Sequence, residues 1–315
     1  MVVLLSLAVG SRAIAPSVVL DAVFAPVAGD TDHVVVRDLR VPRTVVGLLA
    51  GLALGLAGSI MQGVTRNPLA DPGLLGVNAG ASLSVVVGIT FFGATQPEAF
   101  VWFAFAGAAA ATAAVYAIGA SGRGGATPIK LALSGAALTA AITSLITLLL
   151  VTNLDTLQIY RFWAVGSLVG RDLGTAGVVL PFLLVGAVLA FVTSRSLNVL
   201  SLGDDVARGL GQSLVRARVT SALAIVLLCG SATALAGPLV FVGLVVPHIA
   251  RRLVGSDYRW ILAYSLLLGP MLLVCADIVG RLVAPPGELE AGLVVAFLGA
   301  PVLIAFARTS TVKSL

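Results

Sequence analysis

Long apolar runs leave this chain few possible folds. Most approach the roughly 20 residues that a helix needs to cross a bilayer. In hydrocarbon every backbone polar group must be bonded internally, which leaves helices or closed barrels. The runs are unalternating, so helices are expected and a barrel is not. With 59% hydrophobic and 10% charged residues, and a mean hydropathy of +1.09, the chain reads as an all-α, polytopic membrane protein. One transmembrane domain is expected over residues 1–315. The longest non-apolar stretches, Asp21–Arg43 and Ser194–Arg218, are each too short to fold alone.

Ten runs are expected to be spans: Met1–Leu20, Thr44–Val64, Leu74–Gly93, Phe100–Ala120, Leu131–Val151, Ala176–Val192, Val219–Ala236, Leu239–Ile249, Ile261–Val283 and Ala291–Ala307. The first meets Arg12 soon after Gly10 and resembles the second half of a helix. It has no charged leader, so a cleavable signal peptide is not expected. Leu239–Ile249 is short for a straight crossing, and charge decides whether it crosses. If it does, with the loop after the second span cytosolic, 12 Lys and Arg residues lie inside and 7 outside, accounting for all 19. If it does not, the split becomes 8 against 11. The positive-inside tendency favours ten crossings and a cytosolic C-terminus. The formal charge of +5 then marks cytosolic loops, and no nucleic-acid partner is expected.

The polar stretch Ser194–Arg218 is long enough to hold a small helix of its own. It would lie in the cytosol, offered to a soluble partner. Pro270 should kink the ninth run. Gly47, Gly51 and Gly55, followed by Ser59, recur every fourth residue on one helix face. Such a face serves close packing within the bundle or a subunit interface. Cys229 and Cys275 fall in apolar runs and read as packing residues. No phosphate loop, His-Glu-x-x-His or Gly-x-Ser-x-Gly is present, so neither ATP binding of that kind nor catalysis by those routes is expected. With only His33 and His248, a histidine metal site is not expected either.

A charge in mid-span is costly, about 2.5–3.5 kcal/mol on insertion scales. Only Asp277 lies well inside a run. Arg281 follows four residues later on the same face, which suggests an ion pair near the outer surface. An ion-coupled carrier would need more embedded acids. Before the second span, Arg40 and Arg43 flank Pro42 and should lie together at the outer surface, as interfacial anchors or as a docking patch for an acidic protein.

Taken together, several motifs resemble the FecCD-type permeases of bacterial ABC importers for ferric siderophores, haem and cobalamin. The matches begin with Arg40-Val41-Pro42-Arg43 and Gly58-Ser59-Ile60-Met61-Gln62, then Arg66-Asn67-Pro68-Leu69-Ala70-Asp71-Pro72-Gly73. They continue with Leu202-Gly203, Ala207 and Leu210-Gly211, the run from Gly237 to Arg251, Ala276-Asp277 with Arg281, Gly287-Glu288-Leu289, and Gly299-Ala300-Pro301. The resemblance covers nearly the whole chain; Glu290 stands where proline is common. It implies ten spans and a second permease subunit, identical or paralogous. It also implies two cytosolic ATPases, which would hold the ATP and Mg, and a substrate-binding protein above. No cofactor is expected in this chain. Ferric siderophore is the implied cargo, with cobalamin or haem as alternatives, and the implied site is the bacterial cytoplasmic membrane. Leu202, Gly203, Asp204, Ala207, Leu210 and Gly211 would couple to the ATPase. Arg40, Arg43 and Arg281 would engage the binding protein. Gln62, Asn67, Thr143, Ser144 and Thr147 are candidates for the translocation path.

Overall fold

A computed structural model describes residues 1–10, 12–27, 29–121, 127–284 and 287–310. Arg123 and Lys313, counted above as cytosolic, lie outside them. The described residues hold helices and no strands. Six helices are long and apolar enough to cross a membrane, and Val77–Phe92 and Ala291–Ile304 are shorter apolar ones. Ten long spanning helices are therefore not seen. The difference arises at the two doubtful runs and at Val77–Phe92 and Ala291–Ile304, which are apolar but shorter than a full span.

The bundle is built around α4 (Val41–Thr65). Twenty of its 25 residues are buried. It packs against α9 (Leu173–Leu200), α11 (Leu214–Ala236), α12 (Val242–Val254) and α13 (Tyr258–Val283). The small-residue face of α4 explains the closeness. A methyl group added at Gly51 would stand 2.6 Å from the Gly269 carbonyl oxygen, and one at Gly58 would overlap the backbone of Gly243. Two backbones can approach this far only where side chains are absent. Ser59 adds a 2.8 Å hydrogen bond to Ser265 across the same contact. The glycine face therefore serves packing within the chain. α13 runs unbroken through Pro270, whose Cα lies in this contact.

Around this centre lie α5 (Val77–Phe92), α6 (Pro97–Ala120), α7 (Pro128–Thr152) and α14 (Ala291–Ser310). α7 is the least covered of the long helices, with 17% of its apolar window buried against 72% for α11. Many helices start on a side-chain cap, which ends the preceding loop sharply. Asp172 accepts from the Thr175 N–H, Asn153 from Thr156, Ser213 from Arg216 and Asp257 from Arg259.

The first expected run is not one helix. It forms α1 (Val2–Ala8) and α2 (Pro16–Phe24), both packed at the start of α4. Pro16 opens α2, as suits a first helical turn. The polar stretch before Arg43 is itself largely helical. α3 (Thr31–Val34), capped by Asp30, runs through a π-turn at Val35–Arg40 straight into α4.

Between α11 and α12 the helix breaks. Gly237 and Phe241 both have positive φ, at 78° and 66°, and residues 238–240 have no helical turns. Asn78 donates to the Leu239 carbonyl at 3.4 Å, and Ser167 N–H to the Ala236 carbonyl at 2.8 Å. Non-helical backbone at such depth is tolerated because protein surrounds it. α12 ends beside α4's last turn, where Arg251 reaches Gln62 and Tyr258. The segment after α11 thus runs through an irregular stretch at 237–241 into the 13-residue α12.

Candidate functional site

The bundle has two polar ends, marked by Arg43 and Arg66 of α4. At about 1.5 Å per residue these lie about 34 Å apart, slightly more than the roughly 30 Å of a bilayer's hydrocarbon core.

At the Arg66 end the expected loop is shorter than its polar residues suggest. α9 continues to Leu200 and α11 starts at Leu214, leaving residues 201–213. Thr193 and Ser194 satisfy their hydroxyls on the Ala190 and Phe191 carbonyls. Leu197 and Leu200 are buried, so the helix keeps an apolar face beneath its polar one. Inside the loop lies the expected short helix, α10 (Asp204–Gly209). It is entered at Gly203 and left at Gly211, with φ of 103° and 79°, values that favour glycine.

The side chains of this loop divide between two faces. Leu202, Val206 and Leu210 are exposed at 59%, 51% and 64% and form an outward apolar face. Val206 was missed in the sequence, although its spacing of four from Leu202 and Leu210 was the available signal. Ala207 faces the other way, fully buried, and a partner cannot touch its side chain. Asp204 also points into the bundle, accepting from Arg66 Nη2 at 2.9 Å and Arg218 Nη2 at 2.7 Å. Asp205 next to it is open to solvent.

At the Arg43 end the three predicted arginines come together, but not as an exposed pair. Arg40, Arg43 and Arg281 are 6%, 8% and 3% exposed. Arg43 donates from Nε to both Asp277 oxygens at 3.0 Å, from Nη2 to Oδ1 at 2.7 Å, and from Nη1 to Glu288 at 2.5 Å. Arg281 pairs with Asp277 and donates to the Ser6 and Val9 carbonyls at 2.7 and 3.1 Å. Arg40 donates to the Leu7 carbonyl at 2.7 Å and to that of Arg12. The cause is α1, which caps this end and supplies backbone acceptors. The expected Asp277–Arg281 pair is present, and Arg43 and Glu288 extend it into a four-membered network. A cleft of about 340 Å³ opens over it, with Arg12, Asp38 and Arg171 on its walls.

The path candidates separate. Thr143, Ser144 and Thr147 share the exposed face of α7, each donating to a carbonyl one turn earlier. Asn67 is exposed and lies beside a cavity of about 280 Å³ between the end of α4 and α7. Gln62 is not on an open surface. It is 1% exposed, donates to the Leu244 carbonyl at 3.2 Å, and accepts from Arg251. Its amide ties α4 to α12.

Comparison with known proteins decides the family. The FecCD transport family model matches residues 1–309. This chain belongs to the FecCD transport family. The ferric enterobactin transport system permease protein FepD of Escherichia coli K12 is 49% identical, covering 98% of this chain and 91% of that protein. The iron(3+)-hydroxamate import system permease protein FhuB of Bacillus subtilis 168 is 41% identical over 96% of this chain and 79% of its own length. A solved ABC transporter assigned to the metal-chelate type, in an inward-facing conformation, has a TM-score of 0.83 at 24% identity, covering 98% of this chain and 94% of that one. That likeness concerns the fold. A FecCD chain with six long apolar helices is a multi-pass membrane protein.

Proposed function

We propose that this chain is the permease subunit of an ATP-driven importer that carries ferric siderophore across the bacterial cytoplasmic membrane. The observation that carries this is the 49% identity to a ferric enterobactin permease over 98% of the chain. A second permease, identical or paralogous, would complete the path. Two cytosolic ATPases would bind below, with ATP and Mg, and a substrate-binding protein would dock above. The Arg66 end, which holds Arg208, Arg216, Arg218, Arg251 and Arg252, would be cytosolic by the positive-inside tendency.

The coupling loop is 201–213 in this reading. Leu202 and Leu210, with Val206, would seat in the ATPase. Gly203 and Gly211 would set the angle of α10, and Ala207 would anchor it. The hydroxyl-bearing face of α7 would line the path, where a bulky chelate should meet weak, satisfied polar groups that do not hold it. The cleft above Arg43 would meet the binding protein, with Arg40, Arg43 and Arg281 supplying its positive floor and Arg12 its accessible charge. Such charges orient an encounter more than they tighten it. Crossings that alternate from α4 onward would direct α14 to the cytosol.

The test is reconstitution with the partner ATPase and binding protein in proteoliposomes, using ferric enterobactin carrying radioactive iron. ATP-dependent uptake that requires all components supports the proposal. Uptake without the ATPase would refute it.

A further inference from the structure

Asp204 was expected among the residues that touch the ATPase, yet its carboxylate faces the bundle. Oδ1 accepts from Arg66, the residue that ends α4, and Oδ2 from Arg218 in the first turns of α11. One carboxylate at the start of α10 therefore holds two of the most buried helices. The backbone is shaped for this contact. Arg66 is left-handed, with φ of 51°, an uncommon conformation for a residue with a side chain. Gly203, immediately before Asp204, lies close to the Arg66 guanidinium. The side chains of Asp204, Arg66 and Arg218 are only 27%, 35% and 17% exposed. At its other end α4 is fixed again, through Arg43 on Asp277. α4 is thus an ion-paired rod, tied at one end to the coupling loop and at the other to the cluster under the outer cleft.

We infer that Asp204 is a positioning residue that transmits displacement of α10 to α4 and α11, and that it is not a contact for the ATPase. This rests on the permease reading above. Docking belongs to the outward apolar face of the loop, where Leu202, Val206 and Leu210 point away from the bundle. Without the Asp204 link the loop would keep the buried Ala207 and, after α10, the Gln212–Ser196 hydrogen bond at 3.2 Å to α9, but it would lose its ion pairs to Arg66 and Arg218.

The experiment compares D204N, R66Q, R218Q, D205N and D204E in the full complex with its ATPase and binding protein. ATPase co-purification, ATP hydrolysis and uptake of ferric enterobactin are measured for each. D204N should keep ATPase co-purification within about twofold of wild type and still hydrolyse ATP, while uptake falls at least tenfold. R66Q and R218Q, each removing one bond, should give intermediate losses. D204E should restore most of the uptake. D205N, the exposed neighbour, should leave uptake per bound ATPase unchanged. Because the pairs are partly exposed, wild-type uptake per ATP hydrolysed should also fall as salt is raised, and that of D204N should not. Uptake by D204N at the wild-type rate would overturn the inference, as would loss of ATPase binding in D204N with D205N unaffected. A wild-type chain that recruits no ATPase would instead overturn the permease reading itself.

Discussion

Replacing Asp277 by alanine should destabilise the outer end of the bundle more than any other single change of charge there. The wild-type carboxylate takes three hydrogen bonds from Arg43 and another from Arg281. Its side chain is 2% exposed, and those of Arg43 and Arg281 are 10% and 2% exposed. Alanine leaves two guanidinium groups facing each other without their shared acid. Breaking a buried pair in this way costs about 3–5 kcal/mol. Arg43 keeps Glu288, and Arg281 keeps the Ser6 and Val9 carbonyls, so the lower value of about 3 kcal/mol is expected. That corresponds to roughly a hundredfold change in the folded ratio. Denaturant unfolding of the purified protein in detergent, followed by tryptophan fluorescence, measures it. The double variant Asp277→Ala with Arg281→Met removes one orphaned charge and should recover at least half of the loss. High salt should not rescue the single variant, because screening acts weakly on buried charge. A single variant within about 0.5 kcal/mol of wild type would refute the reasoning.

Other consequences follow from the same geometry. Gly58→Val should abolish folded yield, because the side chain would enter the Gly243 backbone, whereas Gly177→Val, with nothing within 4 Å, should express normally; size-exclusion profiles of fluorescent fusions compare them. Leu202→Glu with Leu210→Glu should cut ATPase co-purification at least tenfold and leave membrane insertion intact, as judged by pull-down and membrane fractionation. Arg40→Glu with Arg43→Glu should lower folded yield, since both side chains are buried against α1 and Asp277; normal yield with altered docking alone would contradict the burial.

The helical character and the position of the short helix in the polar loop were legible because they rest on local signals. The apolar runs require helices, and Gly203 and Gly211 punctuate the loop by needing positive φ. The packing role of Gly51 and Gly55 was likewise open to inspection as a one-sided repeat. What failed to show was the burial of charge. Arg40 and Arg43 read as surface residues because their partners, the α1 carbonyls and Asp277, are distant in sequence and become neighbours only when α1 folds over α4. The pairing of Asp204 was hidden for the same reason, since Arg66 lies 138 residues away. The ends of α9 and α11 were set too short because Arg195 and Arg216 sit on the polar side of helices whose other side is buried, and Ser194 is buried with its hydroxyl bonded to the Phe191 carbonyl. The break at 237–241 fell between two expected runs, at Gly237-Pro238, where a positive φ at glycine and the missing N–H of proline interrupt a helix.

In the proposed function, ATP on partner subunits drives movement of this chain through the 201–213 loop. The most direct measurement is uptake of radiolabelled ferric enterobactin into proteoliposomes holding the complete complex, with and without ATP and with imposed proton or sodium gradients. The account predicts accumulation that follows ATP and ignores the gradients. Accumulation against a concentration difference by this chain without its ATPase, driven by an ion gradient alone, would contradict it.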